Sequence, residues 1–304
     1  MNRYIDLQEL GAELHIYGEI DDPAMRDINP SLEFDGDKLK IAIRHCNFKV
    51  EPRGAWSFRD GSAYSKTDVL YGDLDPESLA ITNLKKLKID PKAPKITLIA
   101  GLEDVRLFKR KDGMHAIGFE SDRLSRSLHN ASATLAEYLI DTKSCTLKYI
   151  RTLEKPSDKV VEKNWQPTNI ESKEFDFTYS PTQVWKDGKV IGMDYNGNVH
   201  GGSQLIKQKD GTYLSLVHEK LLERTLNKPR VYDKYLYITY LAKHASDGRI
   251  IQLSKPFRFG TLENIEFASG MVEYKDSFLI TLGIRDCKFA VCRISKNKLM
   301  SLFE

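Results

Sequence analysis

The chain of 304 residues has few cysteines and no long apolar run. Its four cysteines (Cys46, Cys145, Cys287 and Cys292) form no Cys-x-x-Cys pair and show no metal-ligand spacing. The sequence therefore predicts free thiols in a reducing compartment, with no bound metal and no other cofactor. No apolar segment approaches the roughly 20 residues that span a bilayer, and residues 1–6 lack the apolar centre of a signal peptide. We expect a cytoplasmic protein without membrane contact.

The chain also lacks an excess of either charge and a linker of low complexity. Lys and Arg number 46 against 43 Asp and Glu, which gives a formal net charge of +3. With so balanced a charge, any anionic partner must be met by a local patch rather than by the field of the whole protein. Hydrophobic residues make up 41% of the chain, as in an ordinary folded domain. We predict one domain over residues 1–304, with residues 1–28 closing or capping it.

Long helical periodicity is scarce, and short strand-like segments joined by tight turns take its place. Alternating polar and apolar residues flank each turn, which is the pattern of a β-hairpin. Repeated units of this kind without intervening helices predict an all-β protein, either a propeller or a sandwich. Counting units of the usual blade length from about residue 30 gives about five blades. The turns are Asp35-Gly36-Asp37, Lys111-Asp112-Gly113, Lys186-Asp187-Gly188, Lys209-Asp210-Gly211 and Lys275-Asp276.

An acidic and basic cluster begins one of these strands, at Glu103-Asp104-Val105-Arg106. On a regular strand, Asp104 and Arg106 share one face while Glu103 and Val105 share the other. A carboxylate beside an arginine stays ionised, whereas one in a drier pocket can serve as an acid. The cluster is thus a candidate catalytic site, and the alternative is a surface ion pair beside a turn.

Further polar residues stand at other strand ends. Lys163 and Asn164 lie next to Trp165, which suits phosphate or sugar binding, although a solvated loop lysine is the alternative. The glycines in residues 200–204 let backbone N–H groups approach an anion, or they form a plain tight turn.

Three more candidates lie towards the end of the chain. His218 ends a strand and is either a core residue or a catalytic group. Glu266 sits among apolar neighbours, where a carboxylate is rarely buried without a partner, so a ligand-facing role is predicted. Asp286 can pair with Arg285 only if the local backbone bends.

Together these motifs resemble the five-bladed β-propellers of glycoside hydrolase family 130 and the related propeller mannosyltransferases and phosphorylases. The resemblance runs over roughly residues 29–300. Glu103-Asp104-Val105-Arg106 is similar to that family's Glu/Tyr-Asp-Pro-Arg motif, whose aspartate is the catalytic acid, and this implies that role for Asp104. Val105 replaces the family's proline. The fold implied is an all-β, five-bladed β-propeller with a short N-terminal extension.

The resemblance implies further roles. Lys163 and Asn164 resemble a lysine-bearing segment and His218 a strand-end histidine that both help to bind phosphate, while Asp286 resembles an aspartate that holds the sugar. Glu266 and residues 201–204 resemble a branch of these propellers associated with glycosyltransferases.

We therefore expect an inverting glycosyltransferase that moves a sugar from an activated donor to a hydroxyl acceptor in a central funnel. Asp104 would move the proton, as base in transfer or as acid in phosphorolysis. The residues expected to bind the sugar are Arg44, Asp286, Glu266, Glu103 and Gln204. Those expected to bind the phosphate of the donor are Arg106, Lys163, Asn164 and His218.

The same residues also suit other functions. A glycoside phosphorylase or hydrolase would act on β-linked, mannoside-like oligosaccharides, and hydrolysis needs a second carboxylate, which Glu266 or Asp286 could supply. A non-catalytic propeller would bind carbohydrate through Trp56, Trp165 and Trp185. The basic run at residues 85–88 could contact a modified nucleic acid as acceptor, although a solvated strand face explains it as well.

Overall fold

A computed structural model describes residues 4–18, 24–50, 56–62, 65–93, 101–121, 133–153, 164–168, 177–179, 183–186, 189–191, 199–222 and 235–304. Strands dominate these ranges, as the turn-bounded pattern predicted. A helix α1 (Lys296–Met300) and a 3-10 turn (Ser301–Phe303) end the chain. At five residues α1 is far too short to cross a bilayer, and no other helix in the described ranges could do so.

The strands follow one another as meanders. In chain order they are β1 (Ile5–Asp6), β2 (Glu13–Tyr17), β3 (Arg26–Asp35), β4 (Lys38–Cys46), β5 (Phe48–Val50), β6 (Trp56–Phe58), β7 (Thr67–Leu74), β8 (Ile81–Ile89), β9 (Leu102–Arg110), β10 (Gly113–Ser121), β11 (Ala133–Asp141), β12 (Thr146–Leu153), β13 (Gln166–Pro167), β14 (Phe177–Tyr179), β15 (Gln183–Lys186), β16 (Lys189–Ile191), β17 (Val199–Gly201), β18 (Ile206–Lys207), β19 (Tyr213–Leu222), β20 (Tyr235–His244), β21 (Ile250–Leu253), β22 (Phe257–Arg258), β23 (Glu266–Tyr274), β24 (Ser277–Ile284) and β25 (Lys288–Ser295).

Hydrogen bonding groups these strands into four main sheets and one small hairpin. The first sheet has the order β3-β4-β7-β8-β12-β11-β10-β9 and consists of two antiparallel meanders. A short parallel pairing of β12 with β8 joins their hydrogen-bonded ladders into one sheet. A second sheet has the order β13-β14-β15-β16, and a third is built around β17 to β22. The hairpin of β5 and β6 stands apart.

The N-terminal segment contributes strands to the C-terminal sheets. β2 pairs antiparallel with β25, so the last sheet has the order β2-β25-β24-β23. β1 pairs in parallel with β22 of the third sheet. β1 and β2 thus connect the first part of the chain to its last sheets by main-chain hydrogen bonds. The prediction that the whole chain forms one domain stays a prediction.

The turns predicted from the sequence lie where β-hairpins need them. Residues 36–37 separate β3 from β4, residues 111–112 separate β9 from β10, and residues 275–276 separate β23 from β24. Residues 209–211 lie between β18 and β19. The corresponding turn between β15 and β16, at residues 187–188, is outside the described residues. Short-range turn chemistry therefore identifies the hairpins correctly.

The first strands of different meanders pack against one another through buried polar links. The hydroxyls of Ser269 and Thr281 both donate to the carbonyl of Pro30, each at 2.7 Å. Gln204 donates from Nε2 to the carbonyl of Leu32 at 2.6 Å, and the amide of Met271 donates to its Oε1 at 3.4 Å. Buried polar groups that lose water must find such partners. These links hold β3, β23 and the segment after β17 together.

The apolar core is divided among the interfaces between meanders. One cluster, which includes Leu32, Ile41 and Leu279, joins the first sheet to the last. Another, which includes Leu216 and Ile280, joins the third sheet to the last, and it continues to Leu299 of α1. Burial of this kind supplies most of the favourable free energy of folding. It also fixes the positions of the strand ends that carry polar residues.

Candidate functional site

Three polar residues near one another in space have left-handed backbone conformations that are uncommon for residues with a side chain. They are Asn29 (φ 46°), Asp104 (φ 49°) and Asp286 (φ 49°). Asn29 lies at a shift of register between β3 and β4, and Asp104 lies at one between β9 and β10. Such bulges redirect side chains and occur often next to active sites, where backbone strain is tolerated for function.

The bulge at Asp104 changes which residues share a face. The sequence pattern predicted Glu103 and Asp104 on opposite faces of the strand, but both carboxylates contact Arg44. Arg44 Nη2 lies 2.8 Å from Glu103 Oε1, and Arg44 Nη1 lies 3.1 Å from Asp104 Oδ1. The predicted alternation is therefore wrong here, because an extra residue in the bulged strand interrupts it.

Asn29 completes the surroundings of the Asp104 carboxylate. Its Nδ2 donates to Asp104 Oδ1 at 2.9 Å. A Cβ on Gly283 would lie only 1.8 Å from Asn29 Oδ1, so a glycine is required there for the Asn29 side chain to occupy this place. Asp104 Oδ1 thus contacts the Asn29 amide and the Arg44 guanidinium, and the Asp104 side chain is 10% exposed. That arrangement fixes the carboxylate while leaving it accessible.

Charge interactions place Asp286 and Tyr237 in the same neighbourhood. Burial alone would lower the pKa of Arg44, but the carboxylates of Glu103, Asp104 and Asp286 raise it above its ordinary value. Burial, with Asp286 and Asp104 nearby, likewise raises the pKa of the Tyr237 phenol. Arg44 therefore stays charged, and Tyr237 stays a hydrogen-bond donor. The Tyr237 hydroxyl makes no hydrogen bond to another described residue.

Arg106 is a buried cation with spare hydrogen-bonding capacity. Its Nε donates to the carbonyl of Gly202 at 2.6 Å, and its Nη1 donates to the carbonyl of Asp104 at 2.8 Å. Nη2 is buried and has no partner within the described ranges. The residue is 2% exposed, and burial lowers its pKa to about 10 despite the nearby charge of Asp104. A buried guanidinium with an unused N–H group suits an anion.

An aromatic cluster continues from Arg106. The Phe267 ring lies 5.1 Å from the guanidinium carbon of Arg106 and meets the His218 ring edge-on at 5.1 Å. On its other side, His218 stacks on Tyr237 with ring centroids 5.2 Å apart, and His200 lies 5.5 Å away. The fold thus brings His218, Arg106 and Asp104 into one region, as predicted. Asn29, Tyr237 and Phe267 were not predicted.

Glu266 and Gln204 have contacts of a different kind. Glu266 is 1% exposed, and its oxygens accept hydrogen bonds from the amides of Phe259 and Thr261. Arg258 Nε lies 3.2 Å from the same carboxylate. Gln204 links β3 to β23, as described above. The ligand-facing role predicted for Glu266 is contradicted by these contacts, since protein groups satisfy its carboxylate, and Gln204 is likewise occupied.

Of the two residues predicted to bind phosphate before Trp165, Lys163 lies outside the described residues. Asn164 is described and has a left-handed backbone (φ 67°). Trp165 is buried in an apolar cluster with Phe108 and Leu153, which leaves no exposed ring for sugar stacking. Arg285 pairs with Glu263 at 3.7 Å.

The two glycines at 201 and 202 serve close packing. A Cβ on Gly201 would lie 2.1 Å from the carbonyl oxygen of Asn164, and one on Gly202 would lie 2.6 Å from that of Leu216. Within the described part of the chain, no group of three or more histidine, cysteine or acidic side chains is placed to hold a metal ion.

No protein-family model matches the chain, and no curated protein matches it by sequence. Solved structures do match its fold. The β-1,2-mannobiose phosphorylase from Listeria innocua is 13% identical, with a TM-score of 0.58 over 96% of this chain and 99% of that chain. A structure from the GH130 family of mannoside phosphorylases and hydrolases is 15% identical, with a TM-score of 0.59 over 93% and 86%. The GDP-Man-dependent mannosyltransferase MPT-1 from Leishmania mexicana is 14% identical, with a TM-score of 0.58 over 93% and 89%. The chain has the fold of these enzymes, which confirms its resemblance to the propellers of the GH130 type.

Proposed function

We propose that this protein is an inverting enzyme that moves a sugar between a phosphate oxygen and a hydroxyl group. The observation that carries the proposal is the juxtaposition of the Asp104 carboxylate, held by Asn29 and Arg44, with the buried Arg106 cation. We further propose that the four-stranded meanders are the five blades of a propeller and that this site lies at its central funnel.

Asp104 is the group that moves the proton. Arg44 favours the ionised form, which can accept a proton from an attacking hydroxyl. A phosphate dianion bound beside Arg106 would add negative charge and favour the protonated form, which can donate to a leaving oxygen. One carboxyl group can thus serve both directions of the same reaction, as microscopic reversibility requires. Arg44, Asp286 and the Tyr237 phenol, which lie near Asp104, would contact sugar hydroxyls.

Among the described groups, Arg106 and His218 would bind the phosphate. A charge-assisted hydrogen bond from the unused Nη2 of Arg106 would be worth about 1.5–3 kcal/mol. Lys163 and Asn164 join them by the resemblance to the family. Glu266 and Gln204 are left out of the proposed site because protein groups already contact their polar atoms. Glu103 is left out because its side chain is 1% exposed and contacts Arg44.

The phosphate can be inorganic, as in a phosphorylase, or part of a nucleotide sugar, as in a transferase. The similar structures include a mannobiose phosphorylase and a GDP-Man-dependent mannosyltransferase, so mannosyl substrates are the first to test. Both reactions place a phosphate oxygen next to the sugar carbon that reacts. The site described here suits both reactions, and the products distinguish them.

The experiment compares the wild type with Asp104→Asn and with Asp112→Asn as control. Asp112 is an exposed carboxylate in the turn of the same hairpin, paired with His115. Each protein is incubated with GDP-mannose plus acceptors and with β-linked mannobiose plus phosphate. Acceptor-dependent release of GDP identifies a transferase, formation of mannose 1-phosphate together with mannose identifies a phosphorylase, and mannose formed without any mannose 1-phosphate identifies a hydrolase. We expect the activity found to be abolished in Asp104→Asn and kept in the control.

Two outcomes would refute the proposal. Wild-type turnover in a folded Asp104→Asn protein would remove the proton-transfer role. Measurable mannoside binding without any turnover would favour a carbohydrate-binding propeller.

A further inference from the structure

Arg44 is shared between two carboxylates of unequal accessibility. The Glu103 side chain is 1% exposed and the Asp104 side chain 10%, and each has an oxygen within 3.1 Å of the guanidinium. Only Asp104 is therefore accessible to a ligand. Burying a carboxylate such as Glu103 is costly unless its charge is compensated. Because Glu103 is buried beside Arg44, its carboxylate must act on Arg44 rather than on a sugar.

The charges facing Asp104 come from several elements. Arg44 lies on β4, Arg106 on β9, and Asp286 follows β24, while the neutral Tyr237 phenol and Cys46 thiol lie nearby. Arg26 also belongs to these surroundings, because it and Asp286 both act electrostatically on the Cys287 thiol. Glu103 and Asp104 share the Arg44 guanidinium, and a second carboxylate beside it disfavours the ionised form of its neighbour. The more accessible carboxylate, Asp104, is the one that can exchange a proton with solvent.

We propose that Glu103 is a positioning residue that shares Arg44 with Asp104, weakens the hold of Arg44 on ionised Asp104, and so sets the pH range of proton transfer. The inference rests on the proposed role of Asp104 in glycosyl transfer. Glu103 acts through Arg44 and does not touch the substrate. Replacing it by a neutral side chain removes the carboxylate that competes with Asp104 at the Arg44 guanidinium, which stabilises the ionised form of Asp104. The protonated form then exists only at lower pH.

The test needs no substrate. The ionisation of Asp104 is followed by carbon NMR of labelled aspartate carboxyl groups in the full chain, with Asp104→Asn identifying the resonance. We expect Glu103→Gln to move the midpoint of the titration to lower pH by about one unit. Glu103→Asp, which keeps the charge, should leave it near the wild-type value. Glu137→Gln is the matched control, because Glu137 is a buried carboxylate shared by His115 and Arg151 and takes no part in the proposed site.

An unchanged midpoint in a folded Glu103→Gln protein overturns the inference and leaves the proposed function intact. If that variant does not fold, Glu103→Met provides a second neutral side chain and carries the same expectation. Once a substrate is known, the limb of the pH–rate profile that belongs to Asp104 should move with the NMR midpoint. A moved midpoint with an unmoved profile would overturn the catalytic role of Asp104, while the electrostatic coupling would stand.

Discussion

Glu33 offers a test of the fold that does not depend on any activity. It lies on β3, is 5% exposed, and lines a cleft of about 640 Å³ that contains none of the proposed site residues. The amide of Phe34 donates to its Oε1 at 2.9 Å, and Gln204 lies 3.4 Å from its Oε2. Burial outweighs these contacts and the charge of Lys109, and it raises the pKa of Glu33 to about 7. The perturbation is Glu33→Gln, which keeps the shape and removes the ionisable group.

The magnitude follows from linkage. The unfolded chain releases the Glu33 proton near pH 4.5, whereas the folded protein keeps it until about pH 7. Between these values the folded state binds the extra proton, so its stability falls as the pH rises. Above pH 7 the raised pKa of Glu33 lowers the free energy of unfolding by about 3 kcal/mol. Between pH 4.5 and pH 8, the free energy of unfolding of Glu33→Gln should therefore rise by up to about 3 kcal/mol relative to that of the wild type.

The assay is urea unfolding of both proteins at several values between pH 4.5 and pH 8. Glu273→Gln is the control, because Glu273 lines the same cleft but has the opposite behaviour. Burial tends to raise its pKa, yet hydrogen bonds from Lys296 and Gln208 lower the pKa overall. Removing Glu273 should cost stability at neutral pH and cost little in acid.

One result would refute this reasoning. If the difference in free energy of unfolding between Glu33→Gln and the wild type were the same at pH 4.5 and pH 8, Glu33 would not be protonated in the fold. The pH dependence of the wild-type stability alone cannot isolate Glu33. The lowered pKa of His244 makes stability rise with pH between pH 4.5 and pH 6.5, opposite to the effect of Glu33. Only the comparison with the variant isolates Glu33.

Three further predictions follow from particular contacts. Burial lowers the pKa of His244 to about 4. The resulting stabilisation of the folded protein, about 3 kcal/mol, is present above pH 6.5 and is lost as the pH falls towards 4. Urea unfolding of His244→Gln should therefore show a smaller loss of stability in acid than urea unfolding of the wild type. Gly283→Ala would force the Asn29 side chain away from Asp104. We expect thermal unfolding to show a loss of about 1–3 kcal/mol in stability, together with reduced turnover. An unchanged melting temperature would show that the backbone shifts without cost. Arg106→Met should abolish protection of the protein by phosphate in thermal melts, and retained protection would place the anion elsewhere.

How far the sequence predicts the site depends on how local each feature is. The motif around Asp104 could be singled out because it rests on a short segment, whereas the prediction that His218 ends a strand is wrong, since β19 continues to Leu222. Asn29 and Tyr237 carry no comparable local signal, since an asparagine or a tyrosine in a strand is ordinary. Their relation to Asp104 arises only when distant strands pack. Glu266 shows the reverse error, because an isolated carboxylate in an apolar segment predicts a partner but does not say that Thr261 and Phe259 supply it.

By itself, the sequence determined the all-β character and the positions of the hairpins, because a turn such as Asp35-Gly36-Asp37 depends on backbone preferences of a few neighbouring residues. The tertiary structure alone decided that Arg44 is shared by Glu103 and Asp104, and that Asn29 reaches the same carboxylate. β-Bulges and the packing of the sheets bring these side chains into contact, and both depend on residues far apart in the chain. The strength of a charge interaction varies with distance and burial, which no short segment specifies.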